Sequence, residues 1–174
     1  LLSEDSDETV TIQLHPNGDT QVSGSYFRVA SGDASLLGTI ADRDGNMLVP
    51  SVKEYEGSKQ ATHDIEAVHS GRGQTRTITF LRFGGSTELA DDTMMLEKGD
   101  SYLDFLCGEE RYRLGMKPGV ISSEASTNAP LWLARLVDGK PAVILSVTGN
   151  NTETVWIEAA GERFDGIGSV SWER

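Results

Sequence analysis

The chain has 174 residues, a formal net charge of −12 and a single cysteine, Cys107. This length can bury a normal hydrophobic core, and one cysteine excludes an intrachain disulfide framework. The acidic surface disfavours nucleic acid and anionic membranes as partners, because both are bound through clustered lysine and arginine. No apolar run approaches the length of a transmembrane helix, so we expect a soluble chain that does not insert into membranes.

The first eight residues carry four acidic side chains and no basic one: Glu4, Asp5, Asp7 and Glu8. Like charges repel and little apolar surface is available for burial, so we expect residues 1–8 to form a flexible acidic leader. A single domain is predicted over residues 9–174. Because the sequence begins at Leu1 rather than Met, it suggests a mature form or an excised segment.

Turn signals between alternating apolar runs predict a succession of β-hairpins. Asn-Gly and Asp-Gly pairs supply the positive φ angles of two-residue hairpin turns, and they occur at 17–18, 44–45 and 138–139. Further turns are expected at residues 70–73, 149–151 and 160–161. The predicted strand pairs are 10–14 with 22–29, 36–41 with 47–55, 62–69 with 74–83, 102–106 with 112–116, 131–137 with 142–147, and 153–159 with 164–172.

One helix of about three turns is predicted, with Ser86 or Thr87 as its N-cap and Gly99 after its end. About ten short antiparallel strands must stack or close to bury one face each. The predicted fold class is therefore all-β, an antiparallel β-sandwich or jelly roll built from successive hairpins, with at most one short helix. A barrel is the alternative.

Candidate metal ligands do not form a complete motif. Asp42, Asp44 and Asn46 match the first ligands of a calcium loop, but Met47 and Lys53 occupy the positions that require glycine and glutamate. His63 and His69 lie on one face of a predicted strand, yet about 20 Å separates them, which is too far for one ion. We expect no metal site and no cofactor, and ordinary surface or half-buried roles for these histidines and for His15.

No sequence motif of nucleophilic catalysis is present. Cys107 lies beside Glu109 and Glu110, whose negative charge disfavours a thiolate, so we expect a buried hydrophobic residue at a strand end. Acidic residues are abundant, but the sequence does not show which of them the fold brings together. We therefore predict no catalytic residue and a protein that is not an enzyme. A glycan hydrolase with acid and base carboxylates from separate strands is an alternative.

Trp156 is the first candidate binding residue. On strand 153–159 the apolar face consists of Val155, Ile157 and Ala159, so Trp156 shares the other face with Thr154 and Glu158. An aromatic ring among polar side chains can serve as a platform for a sugar or peptide, which makes a carbohydrate-binding module an alternative function. The competing interpretation is that a neighbouring strand or loop covers the ring.

The hairpin 131–147 is a candidate subunit interface. A regular two-residue turn would place Leu133 opposite Ile144, with Leu131 and Arg135 on the same face. Apolar residues inside a polar rim are typical of protein interfaces. The alternative is that the predicted helix or a long loop covers this face within the chain.

The sequence thus favours a non-enzymatic structural or recognition module. We expect an assembly subunit or a surface-exposed binding domain, for example of a virion or cell envelope, in an extracellular, cell-envelope or virion-surface setting. Its partner would be another protein or copies of itself, with a glycan as a further possibility. Residues 150–152 also form an N-glycosylation sequon, Asn-Asn-Thr, in a predicted hairpin tip.

Overall fold

The computed structural model describes residues 7–42, 45–54, 63–72, 77–89 and 93–174. Within these ranges the chain forms eighteen β-strands and no helix, and the predicted all-β, sandwich-type fold is confirmed. The chain divides into two compact units, Leu1–Met95 and Leu96–Arg174, which are described separately below. The single domain predicted over residues 9–174 stays a prediction.

Unit 1 contains strands β1 to β8 in two sheets. Their bounds are β1 Asp7–Leu14, β2 Asp19–Ser23, β3 Tyr26–Ser31, β4 Ala34–Asp42, β5 Met47–Leu48, β6 Ser51–Glu54, β7 His63–Arg72 and β8 Thr77–Gly85. One sheet has the order β1-β7-β6, and the other has the order β2-β3-β4-β5 with β8 also paired to β4. A shared hydrophobic core joins the two sheets, formed by Phe27, Val29, Ile40, Leu48, Ile65 and Ala67.

Two of the predicted hairpins in unit 1 are wrong. Strand β1 pairs with β7 rather than β2, and β7 and β8 lie in different sheets. Gly18 therefore does not close a β1–β2 hairpin. A Cβ at Gly18 would lie 2.4 Å from the carbonyl oxygen of Ala30, so a close backbone approach requires this glycine.

The hairpin predicted around Asp44-Gly45 is confirmed over a short length. Strands β4 and β5 pair through Ile40 with Leu48, and Gly45 has a φ of 80°. Pro50 follows β5, and proline cannot donate a ladder hydrogen bond. The next strand, β6, pairs with β7 in the other sheet.

The predicted acidic leader overlaps the first strand. Strand β1 begins at Asp7, so the last two leader residues belong to a strand that pairs with β7. The remaining leader residues, 1–6, lie outside the described residues.

Unit 2 also contains two sheets, and the boundary between the units falls within β9. The strand bounds are β9 Met94–Lys98, β10 Tyr102–Cys107, β11 Glu110–Gly115, β12 Gly119–Ser122, β13 Ala125–Thr127, β14 Leu131–Val137, β15 Lys140–Val147, β16 Thr154–Ala159, β17 Glu162–Ile167 and β18 Ser169–Glu173. One sheet has the order β18-β15-β14-β11-β10-β9 and the other β12-β13-β16-β17. Their shared core is formed by Ile121, Ala125, Trp132, Ala134, Leu136, Ile144, Ile157 and Ala159.

The predicted hairpins of unit 2 are confirmed where the two paired strands are consecutive in the chain. Strand β10 pairs with β11, β14 with β15, and β16 with β17. Asp138 and Gly139 have φ angles of 51° and 75°, as a two-residue hairpin turn of this type requires. The single strand predicted over 164–172 is wrong, because Gly168, with a φ of 74°, separates β17 from β18, and β18 pairs with β15.

The predicted helix is wrong. Residues Ser86, Thr87 and Glu88 form a turn, and Met94–Lys98 is strand β9. Met94 is buried and the next residue is exposed, an alternation typical of a strand rather than a helix. The turn is held by the Glu88 carboxylate, which accepts a hydrogen bond from the backbone N–H of Gly85. No described segment is a helix long and apolar enough to cross a membrane.

Candidate functional site

Strand β14 places an apolar row on the outside of its sheet. Trp132 and Ala134 are buried in the core, and Leu133 lies on the opposite face, half-buried. At the start of the strand, Leu131 is 43% exposed in the single chain. The side chains of β14 therefore alternate as the sequence predicts, with Leu131, Leu133 and Arg135 on the outer face.

The predicted partner of Leu133 is wrong. Ile144 is fully buried, pairs with Ala134 and belongs to the core, whereas Leu145 lies opposite Leu133 and is 45% exposed. The register shifts because a β-bulge inserts one extra residue: Leu136 pairs with Pro141, but its neighbour Arg135 pairs with Val143. Because side chains alternate with period two, this one extra residue reverses which side chains in the rest of β15 face the core.

Neighbouring strands extend this apolar surface. Leu114 lies opposite Leu133 across β11 and β14, and Val147 lies opposite Leu131. We name the set the outer apolar face: Leu114, Leu131, Leu133, Leu145 and Val147. At its border, Arg135 lies 3.7 Å from a carboxylate oxygen of Glu110, so polar side chains flank the apolar centre.

No described segment forms the helix that the alternative placed over this face. The same side of the sheet is nevertheless buried within the chain at β10, where Leu103 lies opposite Leu114 and is 3% exposed. The uncovered part is therefore the β14–β15 end. Leu131 and Leu145 both remain more than two-fifths exposed. An antiparallel sheet ordinarily presents polar residues to water on its outer side. The outer apolar face departs from that pattern and has the composition of a contact surface.

The second candidate surface surrounds Trp156. Val155 and Ile157 are buried, Trp156 is half-buried, and Thr154 and Glu158 are exposed, which confirms the predicted division of strand β16 into two faces. A side chain that belongs to neither β16 nor β17 holds the backbone at Trp156. Its N–H donates to the Asn128 side-chain oxygen at 2.7 Å, a contact that the sequence did not indicate.

Arg163 covers the Trp156 ring. Its guanidinium carbon lies 4.8 Å from the centre of the ring. The same guanidinium group lies 3.1 Å from Asp165 and 3.8 Å from Glu158. The alternative prediction, that a neighbouring strand covers the ring, is thus partly realised by a side chain of β17. A sugar could stack on this side of the ring only if Arg163 moved away.

A groove of about 560 Å³ adjoins this surface at the β16–β17 turn. Hydroxyl and carboxylate groups line it, among them those of Ser123, Ser126, Glu158 and Glu162. Glu124 also lines it, and its carboxylate lies 3.1 Å from both Lys140 and Arg174. Hydrogen bonds from Lys140 and then Arg174 hold the pKa of Glu124 below its ordinary value.

The candidate metal ligands fall into two groups, Asp42 with Asn46 and His69, and His15 with Asp64. The Asp42 carboxylate accepts hydrogen bonds from the backbone and side-chain nitrogens of Asn46, both at 2.8 Å, as in a capped turn. His69 lies 3.9 Å from Asp42, and His15 bonds to Asp64. The side chain of His63 and residue Asp44 lie outside the described residues. Within the described ranges, no three His, Cys, Asp or Glu side chains converge.

Cys107 is the last residue of β10 and is fully buried, which confirms the predicted structural position at a strand end. The sequon residues form a local turn in which Asn150 accepts hydrogen bonds from the backbone and hydroxyl groups of Thr152.

Comparison with known proteins adds no relative. No protein-family model, curated protein or solved structure matches this chain. Function is therefore argued from the geometry of the described residues.

Proposed function

We propose that this chain is a non-enzymatic protein-binding module that contacts a partner through the outer apolar face. The observation that carries the proposal is the cross-strand pair of Leu133 and Leu145, which lies at the centre of that face with Leu145 45% exposed. Burying such leucines against a partner removes apolar surface from water, and each fully buried leucine contributes about 1.5–3 kcal/mol.

A second copy of the chain is the partner that we propose first. A sheet face can pack on the same face of another copy around a twofold axis, as sheets pack in a sandwich. Arg135 and Glu110 form an ion pair at the border of the face, so these two side chains together add no net charge to the repulsion between two acidic chains. An assembly subunit of a virion or cell envelope, in an extracellular setting, is the biological role that we propose for it.

Leu145→Arg tests this function. The variant should fold, because the wild-type side chain is already partly in water, and it should lose self-association, because an arginine would be buried without a counter-charge. Light scattering at increasing protein concentration measures the assembly, and a urea melt measures stability. Val68→Arg is the matched control, since Val68 is a 53% exposed valine on β7 in unit 1.

Two results would contradict the proposal. A wild-type chain that stays monomeric at its solubility limit would exclude assembly through this face. A Leu145→Arg variant that unfolds while Val68→Arg does not would show that the face is an internal core.

A glycan-binding module is the second candidate, favoured by the groove beside Trp156. Its hydroxyl and carboxylate lining could bind sugar hydroxyl groups; Glu158 lines the groove, and Trp156 and Thr154 follow it on the same face of β16. Arg163→Ala should then strengthen binding on a glycan array by uncovering the ring, whereas Trp156→Ala should abolish it. Turnover of a polysaccharide panel, lost in Glu158→Gln, would favour the hydrolase alternative instead.

A further inference from the structure

An apolar cleft of about 300 Å³ opens between the two sheets of unit 1. Leu14 and Ile65 line it from the three-stranded sheet, and Phe27, Val29, Leu36 and Leu81 line it from the five-stranded sheet. Pockets that bind small molecules have volumes from about 300 Å³ upward and predominantly apolar walls. The cleft therefore reaches the size at which a small ligand can be enclosed.

The cleft exists because part of the five-stranded sheet is left uncovered. Across β4 and β8, Gly38 pairs with Leu81 and Leu36 pairs with Phe83. Leu81 is 39% exposed and Phe83 is 71% exposed, although both lie in β8 on the face of the sheet that carries the core. The space above Gly38 is filled by the Phe27 ring, since a Cβ there would lie 2.3 Å from it, so the open space lies beside Gly38 and not over it. Closely packed protein interiors do not ordinarily leave such space.

A polar pair lies at the mouth of the cleft. His15 lines the cleft together with Asn17, and its Nδ1 lies 2.7 Å from a carboxylate oxygen of Asp64. The His15 side chain is 71% exposed, whereas that of Asp64 is 4% exposed. A carboxylate accepts, so Nδ1 carries the hydrogen and the buried aspartate fixes the orientation of the ring. The second nitrogen, Nε2, is then the polar atom with which an exposed imidazole can bind a ligand.

We propose that this cleft is a binding site for a small amphipathic molecule, with a short hydrocarbon chain and a single hydroxyl or carboxyl group at one end. The apolar walls take the chain, and His15 with Asn17 takes the polar end. A few polar groups at the rim of an apolar pocket give orientation and specificity in this way. The site lies within unit 1 and is independent of the outer apolar face.

Octanol and octanoate are the probes for a first titration of the full chain. Binding is measured from the backbone amide signals in NMR spectra. The expected result is a saturable shift of the amides of Leu14, Val29 and Leu36. Tighter binding of octanol would indicate a hydroxyl head group at His15, and tighter binding of octanoate would indicate a carboxylate head group. If neither probe shifts these amides, or if the shifts fall on β14 and β15 instead, the proposal is overturned.

Leu81→Trp is the decisive variant, because the larger ring fills the cleft. It should lower the affinity for both probes by at least about tenfold. Phe83→Trp is the matched control, since Phe83 lies two residues further along the same face of β8 but does not line the cleft. Equal binding by Leu81→Trp and Phe83→Trp would overturn the proposal. A thermal melt of each variant separates lost binding from lost folding.

His15→Ala tests the polar end of the site. It should weaken the more tightly bound probe about threefold to tenfold and bring the two affinities together, since only the hydrogen bond to the head group is lost. Because the His15 side chain is mostly exposed, the fold should tolerate the change. An undiminished difference between the two probes in His15→Ala would overturn the assignment of the polar end.

Discussion

Two arginines of unit 2 make the same kinds of contact in different surroundings. Arg113 lies 3.7 Å from the centre of the Tyr102 ring and 2.7 Å from Asp104. Arg163 covers Trp156 and pairs with Asp165. The side chains of Arg113 and Asp104 are 14% and 2% exposed, whereas those of Arg163 and Asp165 are each 50% exposed.

The difference in burial gives the two pairs different roles. Arg113 also donates to the backbone carbonyl of Ile121 at 2.9 Å, so it links β10, β11 and β12, and its hydrogen bond to Asp104 raises its pKa. Water screens an exposed pair, and most exposed pairs contribute about 0–1 kcal/mol. We infer that Arg113 is a fixed part of the fold, whereas Arg163 is a movable cover over Trp156.

The largest effect is expected for Asp104→Ala. It leaves the half-buried Arg113 without its buried carboxylate partner, and breaking a buried pair costs up to about 3–5 kcal/mol of unfolding free energy. Urea melts measure the loss. The control replaces this pair with apolar residues, Asp104→Leu with Arg113→Met, and should lose much less, because Arg111, the second arginine that donates to Asp104, is 38% exposed and also pairs with Glu97. A single-variant loss below about 1 kcal/mol would show that the pair behaves like an exposed one.

A smaller effect on stability is expected for Arg163→Ala. Loss of an exposed ion pair and an exposed cation–π contact should lower the unfolding free energy by at most about 1–2 kcal/mol. The change should instead appear in fluorescence, because acrylamide should quench Trp156 more strongly once its cover is removed. Measuring the same quenching in Trp156→Phe isolates this signal from Trp132 and Trp172. Unchanged quenching would indicate that Arg163 does not shield the ring.

The smallest effect is expected from Glu124, whose pairs with Lys140 and Arg174 are also exposed. Its folded-state pKa lies below the ordinary value of 4.5, so its contribution is present above that pH and is lost as the pH falls through the folded value. Glu124→Gln should therefore melt slightly below the wild type at neutral pH, with the difference shrinking as the pH falls below the ordinary pKa of the carboxyl group. Added salt should also reduce the difference. A difference that persists in acid would exclude charge as its cause.

The hairpins that could be predicted are those whose two strands are joined by a diagnostic turn. Asp138-Gly139 marks the β14–β15 turn because few residue pairs adopt two successive positive φ angles. The partner of β1 could not be predicted, because β7 lies more than forty residues further along the chain and only packing brings them together. The predicted helix failed for a similar reason: Leu89 and Leu96 have the spacing of one helical face, but the pairing of β9 with β10 places Leu96 in a strand.

The candidate site likewise contains residues whose position could be predicted from the sequence and one whose position could not. Trp156 could be placed with Thr154 and Glu158 because period-two alternation acts within one strand. Alternation also placed Leu131, Leu133 and Arg135 on the outer face. It misplaced Ile144 because a single bulge residue beyond the turn reverses the alternation, and no local signal marks it other than Pro141.

The sequence by itself determined the all-β class, the positive-φ turns at Gly45, Asp138-Gly139 and Ala160-Gly161, and the two faces of strands β14 and β16, because these follow from the backbone preferences and polarity of neighbouring residues. Only the tertiary structure decided the β1–β7 pairing, the register of β15, the cover of Arg163 over Trp156 and the cleft beside His15. Each of these depends on residues far apart in the chain, whose contacts are selected by packing and burial of the whole unit rather than by local propensity.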